Sequence, residues 1–365
     1  MKNPFTPTFG IVPPYLAGRD VILNDMNKAF DNWPGDPNLS TILIGPRGSG
    51  KTALLSCIGD VALEKGWIVA DTSASEDMME DILQRAIDKA SEFISGESGR
   101  HLTGIDIGSV LGLSWTVDSN HQPNWRSQMS ELLTKLGDRD VGLLITIDEV
   151  RGDIDAMVKF ASIYQLLRRE GTKLALVMAG LPSQVSDLIG NKSDSFLRRS
   201  RQQYLGRISD TDIRSAFRKT IESAGKCIEP KALDNAVQAS DGFAYMMQLV
   251  GFQMWDVSGD KQVISEEDAV QGISLAKQDF QSGVLNNTYR ELSKGDIDFL
   301  KAMLPDTESS KVSDIAKRLG KSSGYASTYK KRLLQAGIIE ETHRSQISFA
   351  MPLFRDYLQE QADIY

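Results

Sequence analysis

Apolar and polar positions along this chain change their period twice. Between residues 41 and 179 short, nearly continuous apolar runs alternate with stretches in which apolar residues recur every three or four positions. The runs Thr41 to Ile44, Trp67 to Asp71, Leu143 to Ile147 and Leu174 to Ala179 are strand-length, and strands apolar on both faces with helices between them predict a parallel sheet covered on both sides. The first twenty residues, "MKNPFTPTFGIVPPYLAGRD", are rich in Pro and Gly and predict an extended arm wrapping onto the core, ended by a helix near Asp20. Residues 94 to 125 interrupt the alternation. Their Leu102, Ile105, Ile107, Val110, Leu113, Trp115 and Val117 predict a β-hairpin insertion, either a cap on the sheet edge or a contact loop for a partner.

From about residue 207 the strands are expected to stop. Helical periods follow at Asp210 to Ala224, Pro230 to Ala239, Phe243 to Trp255 and Glu266 to Phe280, with start signals such as Ser265 three residues ahead of Asp268. These four predict a small helical lid. A third unit begins near Arg290: Ile297, Leu300 and Leu304 mark one helix, Val312 to Leu319 a second ended by Gly320, and Tyr325 to Leu334 a third ended by Gly337. Two short strands around the polar tip His343 to Gln346 complete the pattern of a winged helix-turn-helix. The expected domains are therefore 1–206, 207–289 and 290–365.

Chemistry enters at "GPRGSGKT", where Gly45, Pro46, Arg47, Gly48, Ser49, Gly50, Lys51 and Thr52 join the first strand to a helix in the G-x4-G-K-T pattern. A phosphate chain concentrates negative charge, so its loop must turn tightly and aim N–H groups inward. The glycines permit the turn, and the helix N-terminus adds partial positive charge. Lys51 is expected to reach the β- and γ-phosphates, and the Thr52 hydroxyl to ligate magnesium. The apolar run "GLLITIDEV" delivers Asp148 and Glu149 to a strand C-terminus, where ligands of parallel sheets bind. Asp148 is expected to hold the magnesium, and Glu149 to orient and polarise the attacking water. The last strand offers only Ala179 and Gly180 where a γ-phosphate sensor would stand, with Ser183 the first hydrogen-bonding side chain. Arg198, Arg199 and Arg201 follow, either as an arginine finger for a neighbouring subunit or as a solvated basic helix end.

Composition narrows the reading. With 365 residues, 41% of them hydrophobic, the chain can bury a sizeable core. No apolar run reaches membrane-span length and the N-terminal stretch lacks a signal-peptide core, so a cytoplasmic location and no membrane partner are expected. Cys57 and Cys227 stand far apart, and His101, His121 and His343 are scattered, which suggests neither a disulfide framework nor a metal other than the magnesium a nucleotide brings. A net charge of -8 argues against a protein coated in nucleic acid. Residues 290 to 344 nevertheless carry a modest basic surplus, with Ser323, Tyr325, Ser327, Lys330, Lys331 and the wing residue Arg344 as candidate contacts to duplex DNA.

With "YLAGRD", "GPRGSGKT", "ITIDEV", "MAGLP", "SFLRRSRQQYLGRIS" and "DGFAYMMQLVGFQMWD" in place, nearly the whole chain resembles the AAA+ and STAND-type P-loop ATPases. The group containing archaeal origin-recognition initiators and related bacterial ATP-binding proteins is the nearest in pattern. The resemblance implies an α/β fold, a parallel-sheet P-loop NTPase core with a helical lid and a winged helix-turn-helix domain. It places Tyr15, Leu16 and Arg19 near the adenine. It departs at "SDGFAYMMQLVGF", which lacks the lid arginine of initiators and clamp loaders and is closer to a STAND-like lid whose Gly-containing helix start abuts the nucleotide. The implied function is an ATP-binding and hydrolysing switch, using ATP and Mg2+ and releasing ADP, that couples nucleotide state to DNA. The alternative is a regulatory ATPase whose last domain binds a protein partner or autoinhibits; a homo-oligomer fits either.

Overall fold

The computed structural model describes residues 1–8, 11–98, 124–190, 196–343 and 346–363. The chain forms two compact units: Met1–Gly18, Gly45–Gly50 and Leu205–Tyr365 make one, and Arg19–Ile44 with Lys51–Tyr204 make the other. The predicted hairpin insertion falls almost entirely outside the described residues, as does Arg344.

The second of these units is built on a five-stranded sheet, β1 (Ser40–Ile44), β2 (Trp67–Ser73), β3 (Gly142–Asp148), β4 (Leu174–Gly180) and β5 (Arg201–Tyr204), in the order β2-β3-β4-β1-β5. Each neighbouring pair is parallel. The helices are α1 (Asp20–Asp31), α2 (Lys51–Glu64), α3 (Met78–Ser98), α4 (Trp125–Gly137), α5 (Asp155–Arg169) and α6 (Pro182–Gly190). Their apolar stripes explain themselves: Met78, Met79, Ile82, Leu83, Ala86 and Ile87 of α3 are all buried, on the three-to-four residue period that gives a helix one dry face. Leu143, Leu144, Ile145 and Ile147 have no accessible surface, as a central strand covered on both faces requires. All four predicted strands are present. The fifth, β5, begins at Arg201, in the segment expected to supply either an arginine finger or a solvated basic helix end. Its sequence, Arg-Gln-Gln-Tyr, has no apolar period because it lies at the sheet edge with Arg201 and Tyr204 exposed.

The other unit contains α7 (Asp210–Ser223), α8 (Pro230–Ser240), α9 (Ala244–Ser258) and α10 (Glu266–Phe280), close to the predicted helical periods. The expectation that strands stop here is corrected by β6 (Cys227–Ile228) and β7 (Val263–Ile264), a two-residue parallel pair too short to show a period. Ser209, one position ahead of the expected start, caps α7 by accepting from the Asp212 N–H. Ser265 and Asp268 form the full capping box of α10. From Phe280 the helix continues through a π-helical turn, Gln281–Leu285, into α11 (Asn286–Arg290) without a loop.

Beyond Arg290 come α12 (Lys294–Lys301), α13 (Val312–Leu319) and α14 (Ser323–Gln335), with β8 (Ser310–Lys311), β9 (Ile339–His343) and β10 (Gln346–Phe349) in a sheet of order β8-β10-β9, and a final helix α15 (Phe354–Asp363). Both pairings are antiparallel. Gly320 and Gly337 hold the left-handed conformations that end their helices, φ 62° and 68°.

The N-terminal arm differs from its expected course over the core. Phe5 is buried against Phe217, their rings 5.9 Å apart, and lies where a side chain on Gly251 of α9 would be, so the arm docks on the helical segment. The Thr6 N–H donates to Gln248 and the Asn3 amide to the Phe252 carbonyl.

Candidate functional site

The phosphate-type loop begins where β1 ends. A Cβ at Gly45 would lie 2.9 Å from the Leu205 carbonyl and 2.6 Å from the Ser49 hydroxyl, so only glycine fits that turn. Gly48 and Gly50 have φ of 77° and 85°, the region side chains avoid. Pro46, Arg47 and Ser49 complete the loop, with Arg47 exposed and Ser49 buried. The loop also touches the first turn of α9: the Tyr245 N–H donates to the Gly48 carbonyl at 3.2 Å, and a Cβ on Gly50 would meet Ala244 at 3.4 Å. Burial, with Asp279 nearby, pushes the Tyr245 phenol above its ordinary range. Gly18 faces Asp212 and Ile208 in the same unit, and Tyr15 lies beneath Lys219, 6.0 Å from ammonium to ring centre.

Lys51 and Thr52 open α2. The Thr52 hydroxyl donates to Asp148 Oδ2 at 2.6 Å, while Asp148 Oδ1 accepts from the Glu149 N–H at 2.8 Å. Asp148 is thus fixed by both oxygens at the end of β3. The Asp148 carbonyl accepts from the Ala74 N–H, and the Val150 N–H donates to the Ala179 carbonyl, which ties the strand end to its surroundings. Glu149 is exposed and held at φ 54°, a conformation a non-glycine residue adopts only under constraint. A cleft of about 940 Å³ opens on Thr52 and Asp148 and runs between α2, β2 and α3 over Leu55, Ile68 and Val69.

A hydroxyl and a carboxylate within hydrogen-bond reach, both open to solvent, suit magnesium, which keeps several waters and takes few protein ligands. Among the described residues no group of three or more His, Cys, Asp or Glu could hold a metal by protein ligands alone. At the end of β4 a Cβ at Gly180 would lie 2.8 Å from the Val150 side chain, so that position takes no side chain.

The remaining predicted residues are dispersed. Arg19 is buried immediately ahead of α1. Arg198 and Arg199 stand in a single 3-10 turn leading into β5 rather than at a helix end, both exposed, with Arg198 Nε donating to the Ile189 carbonyl. On α14, Ser323, Ser327 and Lys331 are exposed, but Lys330 is paired with Glu341 of β9 and Arg332 with the buried Asp296 at 3.0 Å. Tyr325 packs on Tyr329 with tilted rings, centres 4.6 Å apart, and the Lys321 ammonium lies 5.7 Å from the Tyr325 ring. Sequence reasoning missed Leu205 and Tyr245 as neighbours of the loop; the only signal for the second was the Gly-Phe-Ala-Tyr start of a helix.

The sheet order, the glycine loop and the Thr52–Asp148 pair together define a P-loop NTPase α/β fold. Among solved structures the chain is similar to the Walker-type ATPase PABY2304 of Pyrococcus abyssi, with a TM-score of 0.66 and 14% identity over 94% of this chain and 96% of that one. At that identity the likeness is one of fold. Cdc6p from Pyrobaculum aerophilum (TM-score 0.49, 15% identity, 98% and 97% covered) and the RuvB Holliday junction branch migration motor of Thermotoga maritima (0.48, 15%, 94% and 95%) are more distant and add nothing to it. Residues 282–358 match the model of a domain of unknown function, DUF8462. No curated protein matches the sequence. Among the described residues no helix is long and apolar enough to cross a membrane.

Proposed function

We propose that the chain is an ATP-binding and hydrolysing molecular switch of the AAA+ and STAND type. The observation that carries this reading is the Thr52–Asp148 contact of 2.6 Å beside a loop that needs glycine at Gly45 for space and at Gly48 and Gly50 for their positive φ. Backbone N–H groups of the loop bind the phosphate chain, Lys51 neutralises its far end, and Thr52 with Asp148 would hold magnesium, which supplies further charge neutralisation when bound. Glu149, exposed at the end of β3, accepts the proton of the attacking water. Tyr15, Leu16 and Arg19 serve the adenine end. Domains 1–206, 207–289 and 290–365 act as core, lid and winged helix. Arg199 serves as an arginine finger where two copies meet, whereas Arg198 is held by its own chain. Substituting Arg199 by Ala should then lower activity only in an enzyme whose activity depends on its concentration.

The output surface is the exposed face of α14, where Ser323, Ser327, Thr328 and Lys331 lie together. Hydroxyls near the start of this helix and a lysine further along suit duplex DNA with phosphate contacts. A second reading, a protein partner, is favoured by the Lys330–Glu341 and Arg332–Asp296 pairs, which remove two cations from that helix's free charge. Fluorescence anisotropy on duplex DNA at low salt, with ATP, ADP and no nucleotide, separates the two. Nucleotide-dependent binding with a salt slope that falls by about one in Lys331→Ala supports DNA; no binding in any state leaves the protein partner.

A further inference from the structure

The lid arginine that would read a γ-phosphate is missing: the first turn of α9 holds Ala244, Tyr245, Met246 and Met247. Something else must report the state of the loop if nucleotide is to move the lid. The first N–H groups of a helix have no partner within it, and one of them, that of Tyr245, finds the Gly48 carbonyl. Each peptide is planar, so a loop that turns its N–H groups toward phosphate turns its carbonyls as well. The Gly48 carbonyl shares its peptide plane with the Ser49 N–H, which donates to the Pro46 carbonyl at 3.4 Å, so the group that Tyr245 holds is built into the loop's own turn.

From Tyr245 the contacts run on without a gap. Its ring packs on Phe280, 6.0 Å between centres, at the end of α10. Helices α9 and α10 touch backbone to backbone, because a Cβ on Gly272 would lie 2.6 Å from Met254 main-chain atoms, so one cannot shift without the other. Directly after Phe280 the helix widens into the π turn, whose closing bond runs from the Asn286 N–H to the Gln281 carbonyl. Such turns mark places where a helix can change register, often at functional sites. On its far side the Asn286 side chain accepts from the Tyr357 hydroxyl at 2.6 Å, and Tyr289 packs on the Tyr357 ring at 5.7 Å. Tyr357 belongs to α15, whose Phe354 packs on Phe349 of β10.

We propose that Tyr245 is a positioning residue that reads the loop through Gly48 and passes its state, by way of Phe280 and the π turn, to Tyr357 and the C-terminal domain. The device works by backbone hydrogen bonding and ring packing rather than by a charge on the phosphate. It rests on the ATP reading above and adds to it the route by which nucleotide reaches the output domain.

Hydrogen exchange on the full chain, with and without magnesium and ATP, tests the relay, with calorimetry run in parallel to report binding. In the wild type ATP should change exchange in residues 282–290 and 354–360 on the order of 5- to 150-fold, the range of ordinary coupling between sites. Tyr245→Phe, which keeps the ring, should retain that change. Tyr245→Leu should still bind ATP and lose it. Tyr357→Phe, remote from the loop, carries the same test should Tyr245→Leu not fold: the change should persist in 282–290 and fall in 354–360. A change that survives in both Tyr245→Leu and Tyr357→Phe, or a wild type that binds ATP with no change in either segment, overturns the relay alone. A wild type that shows no calorimetric binding overturns the relay and the ATP reading together.

Discussion

Glu149 concentrates the account at a single position. Its φ of 54° costs about 1 kcal/mol relative to a glycine, and it stands exposed at the end of β3. Glu149→Gly should therefore raise stability by about 1 kcal/mol in denaturant unfolding while abolishing turnover. Glu149→Gln should leave ATP affinity unchanged and slow hydrolysis by roughly 10²- to 10⁴-fold; equal turnover in a steady-state assay would move the base elsewhere. Asp306 is a second informative residue. Hydrogen bonds from the Arg318 guanidinium hold its carboxyl down to about 2, below an ordinary 3.8. A depressed acid contributes stability above its unfolded value and loses it as the pH falls toward the folded one. Between pH 4 and 2, values set by that shift, the C-terminal domain should lose stability that Asp306→Asn has already lost, so the two unfolding curves should converge in acid.

Helix packing supplies a sharper test than helix propensity. Gly272 reads as a weak point in a helical period, yet it is where α10 meets the Met254 backbone. Gly272→Ala, favourable by propensity alone, should instead destabilise by about 1–3 kcal/mol through overpacking, measurable as a lowered denaturant midpoint with unchanged slope. The elements that could be read from the sequence are those whose burial imposes a period: β3, with four residues wholly inaccessible, and α3, with its single dry stripe. Those that escaped have no such constraint. β5 is an exposed edge of Arg, Gln, Gln and Tyr; β6 and β7 are two residues each; and the π turn follows from hydrogen-bond register rather than from composition. The loop and the Asp148–Glu149 pair were legible because phosphate chemistry restricts residue type at fixed spacing. Tyr245 was not, because it touches the loop through its N–H, which every residue except proline carries, and only its ring contact to Phe280 depends on residue type.

At the level of the whole chain the charge balance bears on output. The modest basic surplus of the C-terminal segment is partly neutralised within the fold, since Lys330, Arg332 and Arg318 are all paired with carboxylates. If this domain meets DNA as proposed, the attraction rests on exposed Lys331 rather than on a broad basic face. The central claim lies upstream of any partner: that this chain binds ATP through the loop from Gly45 to Thr52. Isothermal titration of ATP with magnesium into the wild type and into Lys51→Ala measures it directly. Saturable binding at one site per chain is expected in the wild type and none in Lys51→Ala. Equal affinity in both proteins, or no heat in the wild type, would contradict it.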